Sequence, residues 1–183
     1  MMGKAHIAFG SGAWLAACSL IGHQPGALEM AAVVLGSLMP DADHPKSKIG
    51  RFLPGVSHFF YYVAGGHRGI THSALLCIPM LMVAYSFWGI HLGVSQGLFS
   101  WHSSASDPYS TFEGYAAVVI LAFTFGYLSH LVGDVITKQG LRFFWPLPFL
   151  IRVTPFRADS PVINLLAYSV LCVGVVMQVA LLL

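Results

Sequence analysis

Charged side chains are scarce in this chain. Asp, Glu, Lys and Arg make up 9% of its 183 residues, whereas hydrophobic residues make up 56%. Soluble domains carry about 25% charged residues, and the mean hydropathy here is +0.73. A chain of this length cannot bury so much apolar surface away from water. The composition therefore excludes an ordinary soluble protein and predicts one membrane-embedded domain over residues 1–183, with lipid as its solvent.

Cysteine is also scarce. The chain has three cysteines, Cys18, Cys77 and Cys172, and each lies in the middle of an apolar stretch. This placement is typical of buried small hydrophobic residues, and it argues against a disulfide framework or a zinc site built from cysteine. A basic segment followed by a small-residue cleavage motif is missing from the N-terminal region. We therefore expect the first apolar stretch to be a retained helix and not a signal peptide.

Long apolar runs, in contrast, are plentiful. Five stretches predict an all-α, polytopic membrane bundle with about five transmembrane helices, although the first two are short for a bilayer core that needs about 20 helical residues. Residues 141–157 contain three prolines, which interrupt regular helices, so this segment is predicted to form an interfacial or re-entrant hairpin. The five stretches are Ile7–Ile21, Ala27–Met39, Ser73–Val94, Phe112–Val132 and Val162–Leu183.

The basic residues indicate how the bundle is oriented. If the five helices alternate in direction, all nine Lys and Arg residues fall on one side of the membrane. The positive-inside rule makes that side cytoplasmic, so the N-terminus is predicted to be inside and the C-terminus outside. The nine residues are Lys4, Lys46, Lys48, Arg51, Arg68, Lys138, Arg142, Arg152 and Arg157.

The same side of the predicted bundle collects side chains that bind metals. Imidazole is the commonest metal ligand in proteins, and carboxylates bind many of the same divalent ions. The orientation rests on Lys and Arg alone, so the grouping of these residues is an independent observation. The candidate metal ligands are His6, Asp41, Asp43, His44, His67, His72, His130 and Asp134.

Taken singly, these residues have ordinary structural explanations. His130 and Asp134 lie four apart on a predicted helix and face the same way, as metal ligands do, but a hydrogen-bonded polar pair has the same spacing. Asp41 and Asp43 could lie in a solvated turn and cap a following helix. A packed histidine with satisfied hydrogen bonds would explain His6.

Taken together, the candidates favour a metal centre. Carboxylates near apolar helix ends are costly, and clustering Asp41, Asp43 and Asp134 adds repulsion unless a cation lies between them. One or two divalent metals would remove this cost, and mixed imidazole and carboxylate ligands suit zinc, with manganese or iron as alternatives. Eight ligands exceed the four of a closed mononuclear site, so we expect a dinuclear catalytic centre with open positions for water. Asp43 or Asp134 is the expected general base.

Neighbouring polar residues fit supporting roles. Arg68 is the third predicted catalytic residue, because its planar guanidinium matches the geometry of a phosphate oxygen pair. Four hydroxyl side chains are predicted to orient the imidazole or carboxylate groups. Each of these neighbours could equally be a helix cap or a surface residue. The four hydroxyl residues are Thr71, Ser73, Ser129 and Thr137.

Three sequence blocks resemble a known family. The blocks Leu38–Ser47, Gly66–Ser73 and Gly126–Asp134, with His6 and the segment 137–146, are similar to the YdjM-like family of bacterial inner-membrane metal-dependent hydrolases. The resemblance implies a multi-pass hydrolase of the bacterial inner (plasma) membrane whose metal ligands are the eight candidates. More distantly, the pattern is similar to the zinc-dependent phospholipase C and P1 nuclease group, which cleaves phosphoesters. A second His-x-x-x-Glu pair is missing, which argues against a three-metal centre.

Three functional hypotheses follow. The first is an enzyme that uses metal-activated water to cleave a phosphoester of a lipid or lipid-linked substrate at the cytoplasmic leaflet. The second is a metal-ion transporter, which the lack of ionisable residues at the helix centres argues against. The third is a structural membrane protein stabilised by metal. Membrane lipid is the expected partner, with an anionic lipid or lipid-linked substrate, and no nucleic-acid partner is expected.

Overall fold

The computed structural model describes the backbone of residues 1–63, 69–96 and 112–183. Within these ranges the chain is helical, without a β-strand, and one isolated antiparallel bridge joins Leu141 and Ile151. The prediction of an all-α fold is therefore confirmed. The helices are α1 (Gly3–Leu20), α2 (Ala27–Leu38), α3 (Lys48–Phe52), α4 (Pro54–Val63), α5 (Cys77–Gln96), α6 (Phe112–Ile136) and α7 (Pro161–Leu182), and 3₁₀ segments span Met39–Asp43, Ile70–His72 and Ala74–Leu76.

Helix α6 lies at the centre of the packing. It contacts α1, α2 and α5, and α7 packs against α1. Where α2 crosses α6, a Cβ added to Gly36 would lie 2.1 Å from the carbonyl oxygen of Phe123. A Cβ added to Gly126 of α6 would lie 2.2 Å from the carbonyl oxygen of Val33. The two backbones therefore meet at reciprocal glycines, as small residues allow in membrane helix pairs.

The prediction of five spanning helices is not confirmed. Among the described residues, two helices are long and apolar enough to cross a membrane, namely α6 and α7. Helix α2 has 12 residues, so it rises only about 18 Å, which is short for a hydrocarbon core of about 30 Å. Helix α1 has 18 residues, but Lys4 and His6 near its start lower its hydropathy. Both short helices pack against α6.

Two helices near the site do not begin or end where the predicted apolar stretches do. The apolar stretch ends at Val132 but the helix continues to Ile136, so His130 and Asp134 both lie on α6, as their spacing predicted. The helix expected to begin at Ser73 begins at Cys77 and is preceded by 3₁₀ turns.

Residues 141–151 form a hairpin within the predicted segment 141–157, and its interfacial or re-entrant position is still a prediction. Leu141 and Ile151 exchange two backbone hydrogen bonds, each 2.9 Å long. The hairpin is tied to the end of α6, because the amide of Val153 donates to the carbonyl of Val135 at 3.0 Å. It is also tied to the start of α5, because the hydroxyl of Ser73 donates to the carbonyl of Trp145 at 3.2 Å. The hairpin therefore lies beside the end of α6 that carries Asp134.

Candidate metal centre

Four side chains from three segments converge at one end of α6. Nε2 of His72 lies 3.8 Å from Oδ1 of Asp41 and 3.8 Å from Oδ2 of Asp134. Nε2 of His130 lies 3.8 Å from the same Asp41 oxygen and 3.9 Å from the same Asp134 oxygen. Two imidazole nitrogens thus alternate with two carboxylate oxygens at nearly equal spacing. We call these four residues the metal centre.

Local sequence explains how these residues reach one point. His130 and Asp134 are four apart on α6, so both project from one face of the helix. Pro40 follows α2 at the start of a 3₁₀ turn, which redirects the chain and places Asp41 beside α6. The close crossing at Gly36 brings this turn within reach of His130.

The protonation of His130 follows from its neighbours. Its Nδ1 lies 2.7 Å from the backbone carbonyl oxygen of Ser37, which can only accept a hydrogen bond. Nδ1 is therefore the protonated nitrogen in the neutral ring, and Nε2 carries a lone pair. That Nε2 atom is buried and makes no hydrogen bond to any described residue. The imidazole is thus prepared to bind an electron-pair acceptor at Nε2.

His72 is held in the same way by a carboxylate. Its Nδ1 lies 3.1 Å from Oδ2 of Asp43, which is completely buried. The hydroxyl of Thr71 donates to the same oxygen at 2.5 Å, and the hydroxyl of Tyr127 donates to the carbonyl of Thr71. A carboxylate on the far nitrogen of an imidazole is typical of histidines that bind metal through the other nitrogen. Asp43 therefore lies behind His72 and orients it.

His6 lies on the opposite side of Asp134. Its ring stacks on that of His130, with centroids 3.6 Å apart and planes inclined by 9°. Its Nε2 lies 3.3 Å from Oδ1 of Asp134, and the amino nitrogen of Met1 lies 2.6 Å from the same oxygen. Asp134 thus faces the metal centre with one oxygen and His6 with the other. The ligand atoms of His6, His130 and Asp134 also form a group within 4.8 Å of one another.

Four separations between imidazole and carboxylate atoms in the metal centre are close to those around a metal ion. Ligand atoms bound to zinc at about 2.0–2.1 Å lie about 3.3–3.4 Å apart in a tetrahedron. Four of the six separations, at 3.8 to 3.9 Å, need a contraction of about half an ångström, whereas Asp41 and Asp134 do not fall in one group of ligand atoms within 4.8 Å of one another. Two imidazoles and two carboxylates are ligands of the correct chemistry for zinc, manganese or iron.

The predicted ligands divide into three sets. Six of the eight lie in or against the metal centre, whereas the ring of His44 is in none of the groups of ligand atoms found in the described part of the chain. His67 and Arg68 lie outside the described residues. The six are His6, Asp41, Asp43, His72, His130 and Asp134.

The four predicted hydroxyl residues have different roles. Only Thr71 is shown bonded to a candidate ligand side chain, Asp43. The hydroxyl of Ser73 donates to carbonyls of the hairpin, and that of Ser129 donates to the carbonyl of Gly126 in its own helix. The hydroxyl of Thr137 donates to the backbone carbonyl of Asp134 at 2.9 Å and so closes the end of α6.

Two residues that hold the metal centre in place, Ser37 and Tyr127, were not predicted from the sequence. The carbonyl of Ser37 has no sequence signal, because every residue carries a backbone carbonyl. Tyr127, in contrast, could have been predicted. It is a polar aromatic residue inside an apolar helix, three residues before His130 and therefore on the same face.

Comparison with known proteins identifies relatives along most of the chain. A family model described as "YdjM inner membrane protein" matches residues 1–182. The inner membrane protein YdjM of Escherichia coli (strain K12) and that of Shigella flexneri are each 33% identical to this chain over 122 residues. These alignments cover 67% of this chain and 51% of each relative, so the chain spans about half the length of both.

A more distant relative is covered more completely. The Bacillus subtilis (strain 168) protein named "Uncharacterized protein YvsG" is 29% identical over 153 residues, which is 84% of this chain and 78% of YvsG. No solved structure matches the chain.

Proposed function

The chain belongs to the YdjM inner membrane protein family, and we propose that it is a membrane-embedded, metal-dependent hydrolase. The observation that carries the proposal is the surroundings of His130. Its buried Nε2 lone pair faces the carboxylates of Asp41 and Asp134 at 3.8 and 3.9 Å. The His130 lone pair and the Asp134 carboxylate are buried, and Asp41 adds a second, partly exposed carboxylate, so a cation among the three would lower their free energy. The family name supports the inner membrane as the location.

The chain's own residues prepare the place for the cation. Asp43 holds the Nδ1 proton of His72, and the carbonyl of Ser37 holds that of His130, so both Nε2 lone pairs point to the same space. A divalent metal there would lower the pKa of a bound water to about 7 and neutralise charge on a phosphoryl group. Zinc suits the ligands best, with manganese or iron as alternatives. The proposed ligands are His72, His130 and Asp134, and the fourth position, beside Asp41, is left open for water.

Asp41 is the partly solvent-exposed carboxylate of the metal centre. Its side chain is 26% exposed, whereas the side chains of Asp43 and Asp134 are 0% and 4% exposed. A general base must come within hydrogen-bond reach of the water that loses its proton, and that water enters from the exposed side. We therefore assign the general-base position to Asp41, in place of the predicted Asp43 or Asp134.

The surroundings of the metal centre favour an anionic, lipid-like substrate. Lys138 follows Asp134 by four residues, and it lines a cavity of about 370 Å³ together with Arg152 and Val153. The neighbouring hairpin exposes apolar side chains such as Phe149. Cations beside exposed apolar surface suit the headgroup level of a membrane. We propose a phosphoester of a lipid or lipid-linked molecule at the cytoplasmic leaflet as the substrate.

Hydrolysis by the purified protein in detergent micelles tests the proposal. The probes are micelles containing phosphatidylglycerol and a soluble chromogenic phosphodiester, each with and without added Zn²⁺. We expect zinc-dependent product release that falls by about 10²-fold or more in Asp41→Asn, and that is lost in His130→Ala. His58→Ala is the matched control, because this exposed imidazole on α4 contacts the carbonyl of Pro54 and the ring of Tyr62 and no candidate metal ligand among the contacts described for it.

A metal-stabilised structural protein is the second candidate function. It is favoured by the number of protein ligands, because four side chains make a closed set of the kind that structural zinc sites use. Both candidates predict metal binding, but they differ in hydrolysis. If chelation lowers the unfolding temperature while neither probe is hydrolysed with zinc present, the structural role is favoured and the enzyme is contradicted.

A further inference from the structure

A second group of ligand-type side chains lies at the other end of α1. Sγ of Cys18, a ring nitrogen of His23 and a carboxylate oxygen of Glu29 all lie within 4.8 Å of one another. Nε2 of His23 is 3.0 Å from Oε2 of Glu29. Cys18 is 2% exposed and Glu29 is 0% exposed, so a thiol and a carboxylate are buried side by side in an apolar protein. We call these three residues the thiol cluster.

The backbone around the thiol cluster holds its members in place. Gly22 has a φ of 70°, a left-handed conformation that favours glycine, and it reverses the chain after α1. The amide of His23 donates to the carbonyl of Cys18 at 2.9 Å. Gln178 of α7 donates from Nε2 to the carbonyl of His23 at 3.0 Å. Glu29 is fixed by its other oxygen, which accepts from the amide of Gly26 at 3.1 Å.

The thiol cluster is separate from the metal centre. Cys18 follows His6 by twelve residues on the same helix, which corresponds to about 18 Å along its axis. The two groups share no residue, and their chemistry differs, because the metal centre contains no sulfur ligand.

We propose that the thiol cluster binds a divalent transition metal, with zinc favoured by its ligands. Thiolate sulfur selects zinc over magnesium and calcium, and imidazole and carboxylate complete a three-ligand set. The side chain of His23 is 22% exposed, so an ion and a water ligand can reach the cluster from that side. On binding, the Sγ–H bond of Cys18 is replaced by an Sγ–metal bond, and the proton leaves to solvent. The ion would tie α1, the following turn and the start of α2 together.

Cobalt substitution tests the thiol cluster separately from the metal centre. A thiolate bound to Co²⁺ adds a charge-transfer absorption in the near ultraviolet, and of the two proposed sites only the thiol cluster contains a cysteine. We expect this absorption when the chelator-stripped protein in micelles is titrated with Co²⁺. Cys18→Ala abolishes it, and Glu29→Gln weakens Co²⁺ binding at this site by about tenfold or more. Cys77→Ala is the matched control, because it removes a thiol that is equally buried but packed in the apolar core around Tyr127 and Leu131.

Other results would contradict metal binding at the thiol cluster. A wild-type protein that takes up Co²⁺ without this absorption, or a Cys18→Ala protein that keeps it, contradicts the proposal. His23→Gln provides a variant of similar size in case Cys18→Ala does not fold, and an unchanged absorption there also contradicts it. His130→Ala separates the two proposals, because it removes a ligand of the metal centre and leaves the thiolate absorption intact. Loss of hydrolysis without loss of that absorption therefore concerns the metal centre alone.

Discussion

Hydrogen bonds at Nδ1 determine what the two imidazoles of the metal centre can do at Nε2. The carbonyl of Ser37 accepts from His130, and the carboxylate of Asp43 accepts from His72. Asp43 is the stronger influence, because it brings a buried negative charge beside the ring as well as fixing its orientation. The most informative single substitution at the residue scale is therefore at Asp43.

Asp43→Asn tests the orienting role. The amide keeps the shape of the side chain but removes the charge, so we expect zinc affinity to fall by about 10–100-fold. Competition with a chromophoric chelator measures this affinity. Asp159→Asn is the control, because Asp159 is exposed and pairs with Arg157 away from the metal centre. Equal zinc affinities for wild type and Asp43→Asn would contradict the orienting role.

Single residues differ in how well the sequence reveals them. The spacing of His130 and Asp134 was sufficient to predict that they face the same way, because a helix repeats every 3.6 residues. The same reasoning could not separate the roles of Asp41 and Asp43, since both lie in an irregular turn. Only the tertiary structure shows that one faces the imidazoles and the other lies behind His72.

At the scale of elements, the crossing of α2 and α6 assembles the metal centre. Asp41 enters from the turn after α2, and His130 and Asp134 come from α6. The reciprocal glycines, Gly36 and Gly126, set the distance between the two helices. Any side chain at these positions would push the carboxylate of Asp41 away from the imidazoles.

Gly36→Ala tests this crossing. Alanine stabilises an exposed helix by about 1 kcal/mol relative to glycine, but here its Cβ would meet the carbonyl of Phe123 at 2.1 Å. We therefore expect the opposite sign, a destabilisation of about 1–3 kcal/mol from overpacking, together with weaker zinc binding. Denaturant unfolding and zinc titration measure the two effects. Gly55→Ala is the matched control, because its added Cβ would have nothing within 4 Å. A stable Gly36→Ala protein with normal zinc affinity contradicts the crossing as described.

Secondary-structure elements were predicted correctly where apolar periodicity or proline determines the local structure. The apolar stretches became helices, and the proline-containing segment 141–157 contains a hairpin. The apolar stretches did not fix the number of spanning helices, because a short helix such as α2 resembles a spanning helix in composition but not in length. The 3₁₀ turn that carries His72 depends on contacts with α6 and the hairpin, which are distant in sequence.

At the scale of the whole molecule, the two proposed sites lie at opposite ends of α1. The metal centre lies near the start of α1 and the thiol cluster near its end. The Lys and Arg residues predict that the end carrying the metal centre faces the cytoplasm. Composition was sufficient to predict a membrane protein, and the family supports the inner membrane. The number of spans and the orientation are still predictions.

Cysteine labelling tests the predicted orientation. Gln24 lies in the exposed turn between α1 and α2, and Lys138 is exposed just after α6. In a background that lacks the native cysteines, we expect a membrane-impermeant maleimide to label Lys138→Cys in inverted vesicles and Gln24→Cys in intact spheroplasts. Detergent-solubilised protein, in which both positions react, is the control. Labelling of both positions from the same side would contradict the predicted arrangement of α1 and α2.

The cavity lined by Lys138 and Arg152 leads to a prediction about substrate binding. Replacing Lys138 and Arg152 with Gln removes two cations at the surface, each worth about 1 kcal/mol toward an anionic lipid. We expect the double variant to raise KM for phosphatidylglycerol by about tenfold or more, with kcat little changed. Arg157→Gln is the control, because that side chain already pairs with Asp159. An unchanged KM would place substrate binding elsewhere.

Anomalous diffraction tests the central claim most directly. Crystals of the protein grown with zinc, measured on both sides of the zinc absorption edge, locate bound ions independently of any activity. We predict an anomalous peak among Oδ1 of Asp41, Oδ2 of Asp134 and the Nε2 atoms of His72 and His130. If these four side chains are in place and no peak lies between them at saturating zinc, the metal centre and the hydrolase built on it are contradicted.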